Sequence, residues 1–98
     1  MSDAPGRITL WAIETFLAAA DEGTVQGAAK RLSASASAVS QQISALEAAL
    51  GAVLLDRAQR PFRLTPAGET FRRHAQAIVN ELAAARAAIG LSGLSGLA

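Results

Sequence analysis

The side chains with chemistry to offer fall into two sets, a row of short uncharged hydrogen-bonding residues and a group of arginines. Ala36, Ser37, Ser40, Gln41 and Ser44 step by 1, 3, 1 and 3, so on a helix they share one face. No Lys or Glu interrupts that face, whereas an ordinary solvated helix face carries charge. Short donors and acceptors on a helix suit a groove in which base edges are read. The arginines come later: Arg57, Arg60 and Arg63 recur every third residue around Pro61. Enzymatic chemistry has little to work with. The chain has no cysteine, its one histidine, His74, cannot complete a zinc shell, and there is no Gly-rich phosphate loop. No metal, no cofactor and no catalytic residue is expected, and His74 reads as a surface residue.

The formal net charge of +1 is unevenly spread. Residues 1–23 carry Asp3, Glu14, Asp21 and Glu22 against Arg7, a balance of −3. Residues 24–65 carry Lys30, Arg31, Arg57, Arg60 and Arg63 against Glu47 and Asp56, a balance of +3. A phosphate-facing surface would therefore be built from the middle of the chain. With 98 residues, 51% of them hydrophobic, one small core is expected. No basic segment leads into an apolar one at the N-terminus, and charge breaks every long apolar stretch before about 18 residues. Neither export nor membrane insertion is expected, which leaves the cytoplasm as the default compartment.

The elements that must position these residues are mainly helical, because Ala and Leu dominate and β-branched residues are sparse. Residues 1–8 have no apolar period and are expected to be a flexible lead-in. Thr9 caps a first helix whose Leu10, Ile13, Phe16, Leu17 and Ala20 repeat at helical spacing until Gly23, with Trp11 outside that stripe. Thr24 caps a second, in which Val25, Ala28, Ala29 and Leu32 share a face. Ser35 caps a third running to Leu50, with Gly51 as its stop and Val39, Ile43, Leu46 and Leu50 as its core-facing stripe. Two helices joined by a tight turn make a helix-turn-helix outline. From Val53 to Thr65 the chain reads as a short hairpin in which Phe62 and Leu64 alternate with Arg63, a basic wing.

Thr65-Pro66 opens a long helix expected to run from Pro66 to Ile89. Phe71, Ala75, Ile78, Leu82, Ala85 and Ile89 repeat by 4, 3, 4, 3 and 4, the coiled-coil period, so this stripe is the expected dimerisation face. Gly90 is expected to break the helix, leaving 90–98 as a Gly/Ser-rich flexible hinge. The domain organisation is thus a winged helix-turn-helix over 9–65 followed by a linker and dimerisation helix over 66–89.

The chain resembles the N-terminal region of LysR-type transcription regulators over most of its length. The residues that carry the resemblance are Phe16, Gly23-Thr24, Ala28-Ala29, Leu32, Ser37-Ala38-Val39-Ser40-Gln41-Gln42-Ile43, Leu46-Glu47, Leu50-Gly51, Leu55, Arg57, Arg60 and Leu64-Thr65-Pro66-Ala67-Gly68. The resemblance implies that the third helix lies in the major groove of double-stranded DNA, with base contacts from Ala36, Ser37, Ser40 and Gln41, and that Arg60 enters the adjacent minor groove. It implies a homodimer on an inverted repeat, formed through the long helix. The family's effector domain lies beyond these residues, so no small-molecule effector is expected to act on this chain alone. Ala36 departs from the Gln often found there, which removes a bidentate adenine contact. Leu55 stands where an aromatic is usual.

Weaker phosphate contacts are assigned to Thr24, Lys30, Arg31, Ser35, Arg57, Arg72 and Arg73, each with a plainer alternative. Thr24 is either a cap or a phosphate ligand at a helix start. Lys30, Arg31, Arg72 and Arg73 either reach the DNA backbone or only solvate their helices. Arg57 either meets phosphate or fixes the wing by pairing with a carboxylate, and Glu47 reads as structural because an acid there would repel phosphate. The rival reading of the whole is a dimerisation module that pairs with a full-length regulator without binding DNA tightly itself.

Overall fold

The computed structural model describes the backbone of residues 7–97 and the side chains of residues 7–91. The lead-in predicted over 1–8 therefore falls mostly outside the described residues. Four helices and a two-stranded wing follow one another: α1 (Leu10–Glu22), α2 (Val25–Leu32), α3 (Ala36–Leu50), β1 (Leu55–Asp56), β2 (Arg63–Leu64) and α4 (Pro66–Leu97).

Each of the first three helices starts where a hydroxyl can take up an orphaned amide. Thr9 Oγ1 accepts from the Ala12 amide at 3.0 Å, Thr24 Oγ1 from Gly27 at 2.9 Å and Ser35 Oγ from Ala38 at 3.0 Å. Each such cap is worth about 1 kcal/mol. α1 and α3 end on glycines in the left-handed region, Gly23 with φ 79° and Gly51 with φ 69°. α2 ends on Ser33 at φ 56°, a conformation a short polar side chain tolerates.

Phe16, Val39, Ile43, Leu46 and Leu54 are at most 1% exposed and fill the space enclosed by α1, α2, α3 and the wing root. Burying each contributes about 1.5–3 kcal/mol. Thr15 is buried with them, its hydroxyl satisfied by donating to the Trp11 carbonyl at 2.7 Å. Leu50, predicted for the core stripe, is 37% exposed. Leu54 and Leu55, which follow the Gly51 turn, fill the core in its place and leave the last turn of α3 at the edge.

The wing pairs Leu55 with Leu64 and Asp56 with Arg63, antiparallel. Its far end is tied back to the helical body: the Phe62 amide donates to the Gly23 carbonyl at 2.8 Å, and Pro61 packs on Gly23 so closely that a Cβ there would lie 2.5 Å from the proline Cβ. Gly23 thus serves both a left-handed turn and a close approach. At the wing root the Thr65 hydroxyl donates to the Val53 carbonyl at 2.6 Å and accepts from the Gly68 amide at 2.9 Å, so one side chain joins the strand approach to the start of α4.

α4 departs from expectation in two ways. It runs through Gly90 to Leu97 rather than ending at Ile89. Gly90, Gly93 and Gly96 each cost the helix about 1 kcal/mol, but no proline follows to remove an amide or clash with the preceding turn. Its first turns also belong to the domain core. Phe71 is half-buried and stacks on Phe16 with ring centroids 5.6 Å apart at 58°, and Ala75 is fully buried. These two are therefore withdrawn from the face expected to meet a partner. Ala67, Phe71, Ala75 and Val79 pack inward at steps of four, because α4 lies against α1 along a helical ridge rather than a heptad seam. Beyond them α4 projects from the body, and the molecule measures 52 × 33 × 25 Å.

Candidate nucleic-acid interface

The row singled out in the sequence forms a surface on α3. Ala36, Ser37, Gln41 and Ser44 are exposed and Ser40 is half-buried, while Val39, Ile43 and Leu46 on the opposite side are sealed in the core. The helix is therefore fixed by its apolar side and presents only short neutral groups outward. Nothing on that face exceeds the length of Gln41, so the α3 backbone itself can come close to whatever it docks against.

Arg60 lies at the wing tip, exposed, its Nη1 donating to the Arg57 carbonyl at 3.0 Å and its guanidinium 5.5 Å from the centre of the Phe62 ring. In this resting position it is folded onto the wing. To enter a groove it must give up one exposed hydrogen bond and a cation–π contact, together worth about 1–2 kcal/mol. Because Phe62 is anchored to Gly23, the wing tip is held beside the corner that leads into α2. Thr24, at that corner, spends its hydroxyl oxygen on the Gly27 amide and is half-buried. Ser35, at the start of α3, is exposed but likewise engaged as a cap.

The remaining cations divide by partner. Arg31 pairs with Asp21 at 3.2 Å and Glu22 at 3.6 Å, and Arg72 pairs with Asp21 at 2.8 Å. Asp21 thus joins α1, α2 and α4 through one carboxylate. Sequence reasoning counted Asp21 only as a charge and missed this junction. These pairs are exposed and worth about 1 kcal/mol or less each, so a phosphate can compete for the arginines. Arg57 takes the carboxylate alternative: its Nη2 lies 3.3 Å from Glu47 Oε1, and its Nη1 donates to Ser40 Oγ at 3.4 Å. Glu47 Oε2 accepts from the Leu54 amide at 2.8 Å and the Leu55 amide at 3.3 Å, so the acid is structural, as its type and place suggested. Among the described residues Lys30, Arg60, Arg63 and Arg73 make no ion pair and are exposed. His74 is exposed, and no cluster of metal-ligating side chains occurs among the described residues.

A short helix and a second helix with a neutral outward face, followed by an anchored two-stranded loop tipped with arginine, define the winged helix-turn-helix class. The family model for bacterial regulatory helix-turn-helix proteins of the lysR family matches residues 10–69, and the chain belongs to that family. It is 49% identical over 61 residues to the transcriptional regulator TfdS of Cupriavidus pinatubonensis, covering 62% of this chain and 21% of that protein. It is 45% identical over 67 residues to the lysine export regulatory protein LysG of Corynebacterium glutamicum, covering 68% of this chain and 23% of LysG. The chain therefore spans about a fifth to a quarter of the length of these regulators. The solved DNA-binding domain of BenM, in complex with catB site 1 DNA, shares the fold with a TM-score of 0.84 at 28% identity, over 88% of this chain and 97% of that one. The CbnR DNA-binding domain in its DNA complex gives 0.77 at 37% identity, over 89% and 99%. No helix among the described residues is long and apolar enough to cross a membrane.

Proposed function

We propose that residues 9–65 read double-stranded DNA and that α4 pairs two such heads as a homodimer on a short inverted repeat, the activity of a LysR-type transcription regulator. The observation that carries this is the face of α3: short neutral groups at Ala36, Ser37, Ser40 and Gln41 outside, a sealed apolar side beneath. A helix so built fits a major groove and offers hydrogen bonds to base edges there. Arg60 supplies the minor-groove contact, and Lys30, Arg63, Arg73 and the helix start at Thr24 supply phosphate contacts. Arg31, Arg57 and Arg72 contribute less, since carboxylates already hold them. That two related domains of the same fold were solved on DNA supports this reading over a pure dimerisation module, for which the anchored Arg60 wing has no use.

The dimer contact falls to Ile78, Leu82, Ala85 and Ile89, with Ile78 45% and Ile89 68% exposed. No catalytic role is assigned, in keeping with relatives that are regulators. The place of action is the cytoplasm, on the nucleoid. Selection of bound duplexes from a random pool, followed by mobility-shift titration across salt, tests the proposal. Recovery of an inverted repeat with affinity falling steeply with salt is expected. Failure to retain any duplex at low salt would overturn it.

A further inference from the structure

We infer that Arg57 is a positioning residue for base reading: its guanidinium takes up one lone pair of the Ser40 hydroxyl and biases it to donate, so a base that presents an acceptor is favoured opposite Ser40. This rests on the DNA-reading role proposed above and adds a chemical rule to it.

A serine hydroxyl has one hydrogen and two lone pairs and rotates to suit its neighbours. Inside a helix its usual outlet is the carbonyl four residues back. Thr15 takes that outlet, donating to the Trp11 carbonyl at 2.7 Å. Ser40 makes no such bond among the described residues; its Oγ instead accepts from Arg57 Nη1 at 3.4 Å. Guanidinium has donors only and keeps its charge at any working pH, so against Arg57 the serine oxygen can only accept. The hydroxyl hydrogen is thereby directed away from Arg57, and the neighbouring cation strengthens its donation while weakening the second lone pair.

The cation has a carboxylate partner on its other side. Arg57 Nη2 lies 3.3 Å from Glu47 Oε1, and Glu47 Oε2 is fixed by the Leu54 and Leu55 amides at 2.8 and 3.3 Å. The Glu47 side chain is 16% exposed, so drawing Arg57 off to a phosphate would leave its Oε1 without a cation while the two amides still hold Oε2. Ser40, Arg57 and Glu47 form one chain from the wing root to the reading face. In the major groove the acceptors that bases offer are purine N7, guanine O6 and thymine O4, and cytosine, which offers only its amino group, is disfavoured.

The test selects bound duplexes from a random pool with the wild-type chain, Ser40→Ala, Arg57→Met and the double variant, thermal melting serving as the folding check. The wild type is expected to favour an acceptor-bearing base by about five-fold at one position, the ratio that about 1 kcal/mol of hydrogen bonding gives. Ser40→Ala should flatten that position alone. Arg57→Met should flatten the same position, and the double variant should flatten it no further. If Arg57→Met does not fold, the wild type is titrated on a site whose contacted base lacks the acceptor, a 7-deazapurine or a 4-deoxypyrimidine. A loss of about five-fold that Ser40→Ala no longer shows supports the inference. The inference is overturned if Arg57→Met weakens all sequences equally while keeping the Ser40 preference, if cytosine is favoured at that position, or if the acceptor-deleted base binds as well as the natural one. If the wild type enriches no sequence at all, the DNA-reading role itself falls, a result distinct from these.

Discussion

Replacing Glu47 with alanine removes the one acceptor that two consecutive backbone amides share at the turn from α3 into the wing. Leu54 and Leu55 are 1% and 2% exposed, so water does not readily replace the carboxylate. An orphaned buried donor costs about 1–3 kcal/mol, and the 2.8 Å contact to Leu54 is the stronger of the two. The Arg57 pair, 30% exposed on the arginine side, adds at most about 1 kcal/mol. The expected loss is about 3 kcal/mol, which in a domain of this size lowers the melting temperature by about 12–20 °C. Glu47→Gln can set its amide oxygen in the place of Oε2 for both amides and loses the charge and the Arg57 pair, for which about 1 kcal/mol and about 5 °C are expected. Calorimetric melts of both variants at one protein concentration decide the matter. An alanine variant melting within about 3 °C of wild type, or a glutamine variant as damaged as the alanine one, would refute the reasoning.

Gly68→Ala sets a Cβ against the Leu54 carbonyl, where no side chain has room, and should destabilise by about 3 kcal/mol in the same melts, because α4 must shift off the wing root. On α4, Ile78→Asp with Ile89→Asp should lower the dimer fraction in sedimentation equilibrium while circular dichroism shows the head still folded. Ala75→Asp should unfold the head itself, since that position is fully buried. Arg60→Ala should weaken operator binding by about ten-fold or more, the cost of a lost charge-assisted groove contact, and Arg72→Ala by less than about three-fold, because Asp21 already holds that arginine. Mobility-shift titrations of the two variants check the order.

Most of what could be read in advance depended on neighbours a few residues apart. Thr9, Thr24, Ser35 and Thr65 each face an amide three positions on, and Gly23 and Gly51 stop their helices through their own backbone. The neutral face of α3 was equally legible, because a helix converts spacing directly into shared direction. So was the structural role of Glu47, since its type conflicts with a phosphate-facing place.

What tertiary structure alone decided concerns partners far apart along the chain. Asp21 meets Arg72 across 51 positions, and Ser40 meets Arg57 across 17, distances at which residue type predicts no pairing. The apolar stripe of α4 was visible, but nothing in its spacing separates the part that α1 covers, Phe71 and Ala75, from the part left open at Ile78 and Ile89. One periodic pattern serves two environments there, and only the position of α1 divides them. Leu50 fell out of the core for a similar reason: Leu54 and Leu55 had already filled it. The sequence alone determined where the helices start, where two of the four stop, and which residues share a face. Packing decided which faces are spent inside the domain and which remain exposed, because burial depends on what the rest of the fold brings alongside.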